Sequence, residues 1–397
     1  MGRSLSAKRK EVEERISGNL REDLGAFCLE RWQSLHENYA AINLSESGVF
    51  PLKLSELEDF GLRLDELKHL ELGYGWTRGS PELRERISVL YNGEIGKDEV
   101  LVTAGSAEAN LVTAMSVLKE GDLALVDVPN YMQVPGLLPF LGARVLELKR
   151  SSPAWKFPID EAIRLIQENK PRVVFICNPN NPTGQVLGNA ELEELGDVAR
   201  KAGTILVFDE VYWGSELNGE KPSALEIIGK DVAISISGLS KVYGLPGLRI
   251  GWIAGRREVI ERAWSFKDYT SIAPSMLSDK IASSVLSLDS VKKLRERARR
   301  IVRRNLELFT SKVSRDLLDA VIPEAGAFIW TKVPWFKDTL GLSLELFSRR
   351  GILVNPGECF ESPGFLRIGI GQKSEDFSSS LEKLVEGLVE LRKGHLL

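Results

Sequence analysis

Apolar runs too short for helices recur along this chain at spacings that leave room for one helix between each pair. They fall at 99–103, 123–128, 143–148, 173–177, 204–208, 232–236 and 250–254, with helical patterns such as 106–118 and 190–202 between them. Runs like Val173-Val174-Phe175-Ile176-Cys177 are β-branched and aromatic and do not alternate in polarity, so they read as strands buried on both faces. Strand–helix alternation of this kind predicts a mostly parallel sheet between two helical layers. The late chain departs from it. Helical patterns at 288–315 and 374–393 flank short strands near 327–333, 352–354 and 365–369, which reads as a smaller α+β unit. Residues 7–36 read as helical and join that unit, and 40–50 reads as irregular chain approaching a site. The expected fold is therefore α/β: a large domain with a three-layer, mostly parallel sheet at 45–271, and a smaller α+β domain of 1–44 with 272–397. No change of composition marks a linker, and no repeat appears.

With 397 residues the chain is long enough for two large cores. The 52 Lys and Arg against 56 Asp and Glu give a net charge of −4 with no basic face, which argues against a nucleic-acid partner. The cluster Arg295, Arg297, Arg299, Arg300, Arg303 and Arg304 reads as a solvated helix face. No apolar run reaches the roughly 18 residues of a membrane span. Cys28, Cys177 and Cys359 lack metal-ligand spacing, and their odd, sparse count suits a reducing cytoplasm. His36, His69 and His395 lie outside every motif, so no metal site is expected.

Four segments carry chemistry. Ser240-Lys241 follows a small-residue turn, with Arg249 eight residues on; a buried lysine is a nucleophile because burial disfavours its charged form. Asn178-Pro179-Asn180-Asn181-Pro182-Thr183-Gly184 follows one apolar run and Asp209-Glu210-Val211-Tyr212 follows another. Both fall at strand C-terminal ends, where open α/β sheets bind ligands. Arg367, inside Phe365-Leu366-Arg367-Ile368-Gly369, is a guanidinium in apolar surroundings and suits a carboxylate. Gly105-Ser106-Ala107 ends a strand and opens a helix, whose free N–H groups favour an anion.

In this order the segments resemble those of the fold-type I pyridoxal-phosphate enzymes, specifically the class I/II aminotransferases, from about residue 42 to beyond Arg367. The resemblance implies pyridoxal 5′-phosphate as cofactor and amino transfer between an L-amino acid and a 2-oxo acid. It implies Lys241 as the Schiff-base lysine that also moves protons, Asp209 on the pyridine nitrogen, and Tyr212 and Asn181 on the ring's phenolic oxygen. Gly105, Ser106, Ala107, Ser240 and Arg249 would hold the phosphate, Tyr131 would stack on the ring, and Arg367 with Asn181 would bind the substrate carboxylate. Tyr74 would reach the neighbouring subunit's phosphate, which implies a homodimer with shared sites. The family often has Ser or Thr where this chain has Gly238, so either Ser237 or a backbone N–H must substitute. Val128–Pro129 and Asn181–Pro182 fall where the family uses cis bonds.

Three other readings stand beside this one. The same fold hosts β-lyases, cyclases and decarboxylases, and Asn43–Ser47 with Pro356–Phe360 resemble a branch that includes cyclising enzymes of arginine-derived amino acids. A cofactor-binding sensor fused to DNA-binding modules would need a longer N-terminus. A nicotinamide fingerprint is absent, because Gly73–Gly79 follows no strand. Side-chain specificity falls to Ser47–Phe50, Trp76, Lys267, Asp268 and Phe328. The stretch Ser265–Thr270 lacks the arginine of dicarboxylate-specific members, leaving Lys267 as the only basic candidate there.

Overall fold

The computed structural model describes residues 5–17 and 26–395. Seven strands form the central sheet, in spatial order Val100–Thr103, Gly251–Ala254, Ala233–Gly238, Ile205–Asp209, Val173–Cys177, Leu123–Val128 and Arg144–Lys149. All pairs are parallel except those made by Gly251–Ala254, which runs antiparallel to both neighbours. Successive side chains alternate between the faces. Leu125, Val174 and Leu206 enter one core, while Val126, Phe175 and Val207 enter the other. Covering both faces with helices is what makes the strand runs continuously apolar.

A second, antiparallel sheet orders Asn355–Pro356, Phe365–Gly369, Phe328–Lys332 and Asp319–Val321. Its register places Arg367 between Trp330 and Asn355. A two-stranded parallel pair, Ile42–Asn43 with Ile352–Leu353, ties the irregular segment to this half. The 7–36 reading becomes two helices, Leu5–Ser17 and Cys28–His36, with 18–25 outside the described residues. Trp32, fully buried, fixes the second helix by donating from Nε1 to the Val354 carbonyl at 3.0 Å.

Two expectations are overturned. Cys28 and Cys359 are joined in a disulfide, so the odd count hides a pair, and only Cys177 is free. The arginine cluster is a solvated face only in part, with Arg300, Arg303 and Arg304 exposed. In the helix Leu288–Lys312, capped by the Ser287 hydroxyl, Arg295 and Arg299 are buried, while Arg297 is half-buried with its Cζ 4.1 Å from the centre of the Phe50 ring. The helix lies between the two sheets, and long side chains there can bury their stems while keeping their charge. Both expected cis prolines are present, at 129 and 182, alongside cis Ser152–Pro153 and Asn178–Pro179. Among the described residues no helix is long and apolar enough to cross a membrane.

Candidate active site

The C-terminal ends of the parallel strands gather the residues that the motifs single out. Asp209 ends its strand with its carboxylate held by two donors, Asn110 Nδ2 at 3.0 Å and the Val211 N–H at 3.2 Å. Burial pushes its carboxyl up, and those hydrogen bonds oppose the shift. A cation placed against it would restore the charge.

The Asn-rich turn divides its labour. Asn178 Oδ1 accepts from the Leu187 N–H, and Asn180 Oδ1 accepts from the Thr183 hydroxyl at 2.6 Å. These two knit the turn, which leaves Asn181 to face the site, where its Oδ1 accepts from Arg367 Nη1 at 2.9 Å. Arg367 also donates from Nη2 to the Ser45 carbonyl at 2.7 Å, and its Nε has no partner among the described residues. It is 1% exposed. A buried guanidinium bonded to neutral oxygens, with a donor in reserve, has the bonding capacity to take a carboxylate.

Lys241 follows the strand Ala233–Gly238. A cavity of about 230 Å3 opens on it, lined also by Glu46, Gly48, Phe50, Ser240 and Gln372. Burial lowers the pKa of its amine, partly offset by the charge of Glu46, and Arg367 lowers it further. Gly48 passes so close that a Cβ there would lie 3.1 Å from the Lys241 Cα. The irregular segment therefore does reach the site, and a side chain at the point of contact would press on the Lys241 backbone.

Gly105, Ser106 and Ala107 open the helix Ser106–Val117, and Gly105 has φ +87°. A Cβ on Gly105 would fall 2.4 Å from Arg249 Nη2, and one on Gly251 would fall 2.4 Å from the Ser106 nitrogen. Bare backbone thus makes the cradle, with a guanidinium against it. Arg249 holds the left-handed conformation at φ +50°, a strain that non-glycine residues keep where position matters. Ser237 is buried and donates to the Glu210 carbonyl at 3.1 Å, so its hydroxyl is engaged there. A Cβ at Gly238 would meet the Ile250 carbonyl at 2.9 Å, so no larger residue fits there.

Tyr212 is buried and donates to the Ser47 hydroxyl at 2.9 Å, with its ring edge-on to Phe328 at 5.1 Å. Tyr131 donates to Glu30 Oε1 at 2.5 Å and meets Phe27 edge-on at 5.0 Å. Tyr74 stands apart on the surface, 91% exposed. Lys267 leaves the specificity group: its Nζ donates to the Thr77 and Ile272 carbonyls at 3.0 and 2.7 Å and clamps two loops together. Asp268 is exposed.

Several supporting residues gave no sequence signal. In a buried ion pair Arg150 donates from Nε and Nη2 to the single oxygen Oδ2 of Asp127 at 3.0 and 2.8 Å, and Asp127 also accepts from Asn130 and Asn180. The pair fixes the strand end beneath Tyr131 and the Asn turn. Glu108 ties the start of the cradle helix to Thr270 and Ser271. Their partners lie 23 and more than 160 residues away, so no local spacing could announce them.

The chain shares 29% identity over 321 residues with the LL-diaminopimelate aminotransferase of Dehalococcoides mccartyi, covering 78% of this chain and 82% of that protein. It shares 27% over 373 residues with the capreomycidine synthase of Streptomyces vinaceus, covering 92% and 94%. A crystal structure of a PLP-dependent aminotransferase from Streptococcus suis superposes with a TM-score of 0.85 at 31% identity, over 92% of this chain and 98% of that one. The sequence profile of the family described as "Aminotransferase class I and II" matches residues 43–384. The chain therefore belongs to the class I and II aminotransferases, and it is a pyridoxal-phosphate-dependent enzyme that moves amino groups between amino acids and 2-oxo acids.

Proposed function

We propose that Lys241, Asp209 and Arg367 carry the amino transfer, and the observation that supports this most directly is the unfilled bonding capacity around them. Among the described residues, Arg367 is buried with an unpartnered Nε, the cradle at Gly105 and Gly251 has room for no protein side chain, and Asp209 is a half-buried carboxylate with no cation bonded to it. These residues fit pyridoxal 5′-phosphate: Ser106, Ala107, Ser240 and Arg249 for its phosphate, Asp209 for its ring nitrogen, Tyr212 and Asn181 for its phenolic oxygen, Tyr131 for its ring face. The cofactor supplies an electron sink that makes the substrate's Cα–H acidic. Arg367 and Asn181 hold the substrate carboxylate, which fixes the direction of that C–H bond. The Lys241 amine, whose pKa its buried setting lowers, removes the Cα proton at Nζ and returns it on the other side of the reaction. Asp209, placed against a ring nitrogen that carried a proton, would be favoured in its ionised form and would preserve the sink.

The division into a cofactor-binding part at 45–271 and a second part of 1–44 with 272–397 belongs to this reading, as does a homodimer. Leu72, Tyr74, Trp76 and Tyr269 are 64% to 91% exposed, and a second copy would cover that apolar surface. Tyr74 would then reach the partner's phosphate. A cytoplasmic location also belongs to this reading, although the Cys28–Cys359 disulfide counts against a reducing compartment. Trapping cells with an alkylating agent and finding Cys28 and Cys359 still paired would overturn it.

A second reading, cyclisation or elimination on the same scaffold, is favoured by the near full-length match to a synthase. Screening the cofactor-loaded protein against the common amino acids with 2-oxoglutarate and pyruvate, beside assays for ammonia and pyruvate release, separates the two. Oxo-acid-dependent amino transfer is the expected result, and oxo-acid-independent release would favour the second reading.

A further inference from the structure

The buried arginines of the helix Leu288–Lys312 take no part in the site above. A cavity of about 380 Å3 lies between the start of this helix and two segments of the seven-stranded half, near Leu90–Asn92 and Trp213. Its charged lining is Arg295, Lys292 and Lys221 against Glu220 and Glu226. Both acids are already bonded. Glu220 Oε1 accepts from Arg299 Nη1 at 2.9 Å, while Glu226 accepts from the Ser223 N–H at 2.8 Å and from Asn92 Nδ2.

The cations are not matched in this way. Arg295 is 8% exposed, with its Cζ stacked 4.3 Å over the Trp213 ring. Among the described residues its one hydrogen bond is a long contact of 3.5 Å from Nη2 to the Tyr243 hydroxyl, and its Nε has no partner. Lys221 and Lys292 form no side-chain hydrogen bond or ion pair with the described residues. Glu216 has both oxygens on the Gly214 N–H at 3.1 Å and forms no ion pair with Arg295, although its charge and that of Glu220 reach the guanidinium. A guanidinium cannot shed its proton, so one held in the interior with open donors is set for an anion.

We propose that this cavity is a second binding site, which takes a small oxyanion of at least two negative charges, of the phosphate or dicarboxylate class. Arg295, Lys292 and Lys221 hold the charge. Val89, Leu90 and Leu288 line the same cavity and accept an apolar portion. The occupant would lie against Trp213, the residue after Tyr212, and would bridge the helix to the strand-end loop.

The test is calorimetric titration of the cofactor-loaded enzyme with inorganic pyrophosphate and, separately, with succinate at about 0.15 M ionic strength. The loaded enzyme keeps the phosphate cradle filled, and the variants Lys292→Gln, Lys221→Gln and Arg295→Met separate this cavity from Arg367. Saturable binding that weakens about tenfold or more in each variant is expected, the scale of a lost charge-assisted hydrogen bond. Response to pyrophosphate alone or to succinate alone assigns the source of the anion. No binding of either probe, or binding that the two lysine variants leave unchanged, overturns the proposal. If Arg295→Met loses its cooperative melting transition, the lysine variants decide.

Discussion

At the ends of the parallel strands the charges of Asp127 and Glu108 are each caught by several bonds at once, whereas on the helix Leu288–Lys312 two cations, Arg295 and Arg297, are covered mainly by ring faces and single contacts, although Arg299 beside them bonds Glu296, Glu220 and the Gly214 carbonyl. Asp127 accepts from Arg150 twice and from Asn130, Asn180 and the Cys177 N–H. Glu108 accepts from Thr270, Ser271 and the Ala104 N–H. On the helix, Arg295 lies over Trp213 and Arg297 over Phe50, each with one hydrogen bond. The difference shows two uses of burial. Multiple short bonds hold geometry before any ligand arrives, as chemistry at a fixed distance requires. Sparse bonds leave donors available.

Five substitutions sharpen that comparison. Lys241→Ala removes the reacting amine and should abolish turnover, together with the borohydride-trapped modified peptide spanning position 241; normal transamination by this variant would end the mechanism. Asp127→Ala leaves Arg150 buried and unpaired, and should cost about 3–5 kcal/mol in urea unfolding; a loss no larger than that from a surface change would show that the strand ends are not stiffer than the helix. Asp209→Ala should lower kcat by about 10²–10³-fold, the scale of one well-placed electrostatic group, and near-normal turnover would remove it from the ring-nitrogen role.

The fourth concerns pH. Burial pushes the Glu210 carboxyl up to about 7, although the Ser223 and Ser235 hydroxyls and the Ala224 N–H bond to it. A folded pKa above the unfolded one means that the folded state binds the proton more tightly. The stabilisation is complete below about 4.5 and fades as pH rises to about 7. Glu210→Gln should therefore flatten the pH dependence of unfolding in that window by about 2–3 kcal/mol; an unchanged profile would show that the carboxyl does not titrate there. The smallest effect is expected for Arg297→Ala, about 1 kcal/mol from a partly exposed cation–ring contact, measured by thermal melting against Asp127→Ala.

The legible part of the site is the part built from strand ends. Asp209 and Asn181 could be placed because an apolar run stops just before each motif, and Lys241 because a small-residue turn precedes it. Ser237 was ambiguous, since neighbouring strand positions point to opposite faces and one residue of register decides which way a hydroxyl turns. Lys267 was offered as a side-chain reader because sequence shows its charge and not the two carbonyls that claim it.

The arginine helix misled for a related reason. Its period is that of an amphipathic helix, and the charged face was assigned to solvent although the other half of the molecule packs on part of it. The Cys28–Cys359 pair, 331 residues apart, was equally invisible. The sequence by itself determined the alternation of strands and helices and the strand ends at which Asp209, Asn181 and Lys241 lie, because periodicity and strand-end placement are local properties of the chain. Only the tertiary structure decided which charges are bonded, which are left open and how closely Gly48, Gly105 and Gly251 let the backbone approach, because those depend on segments that meet across hundreds of residues.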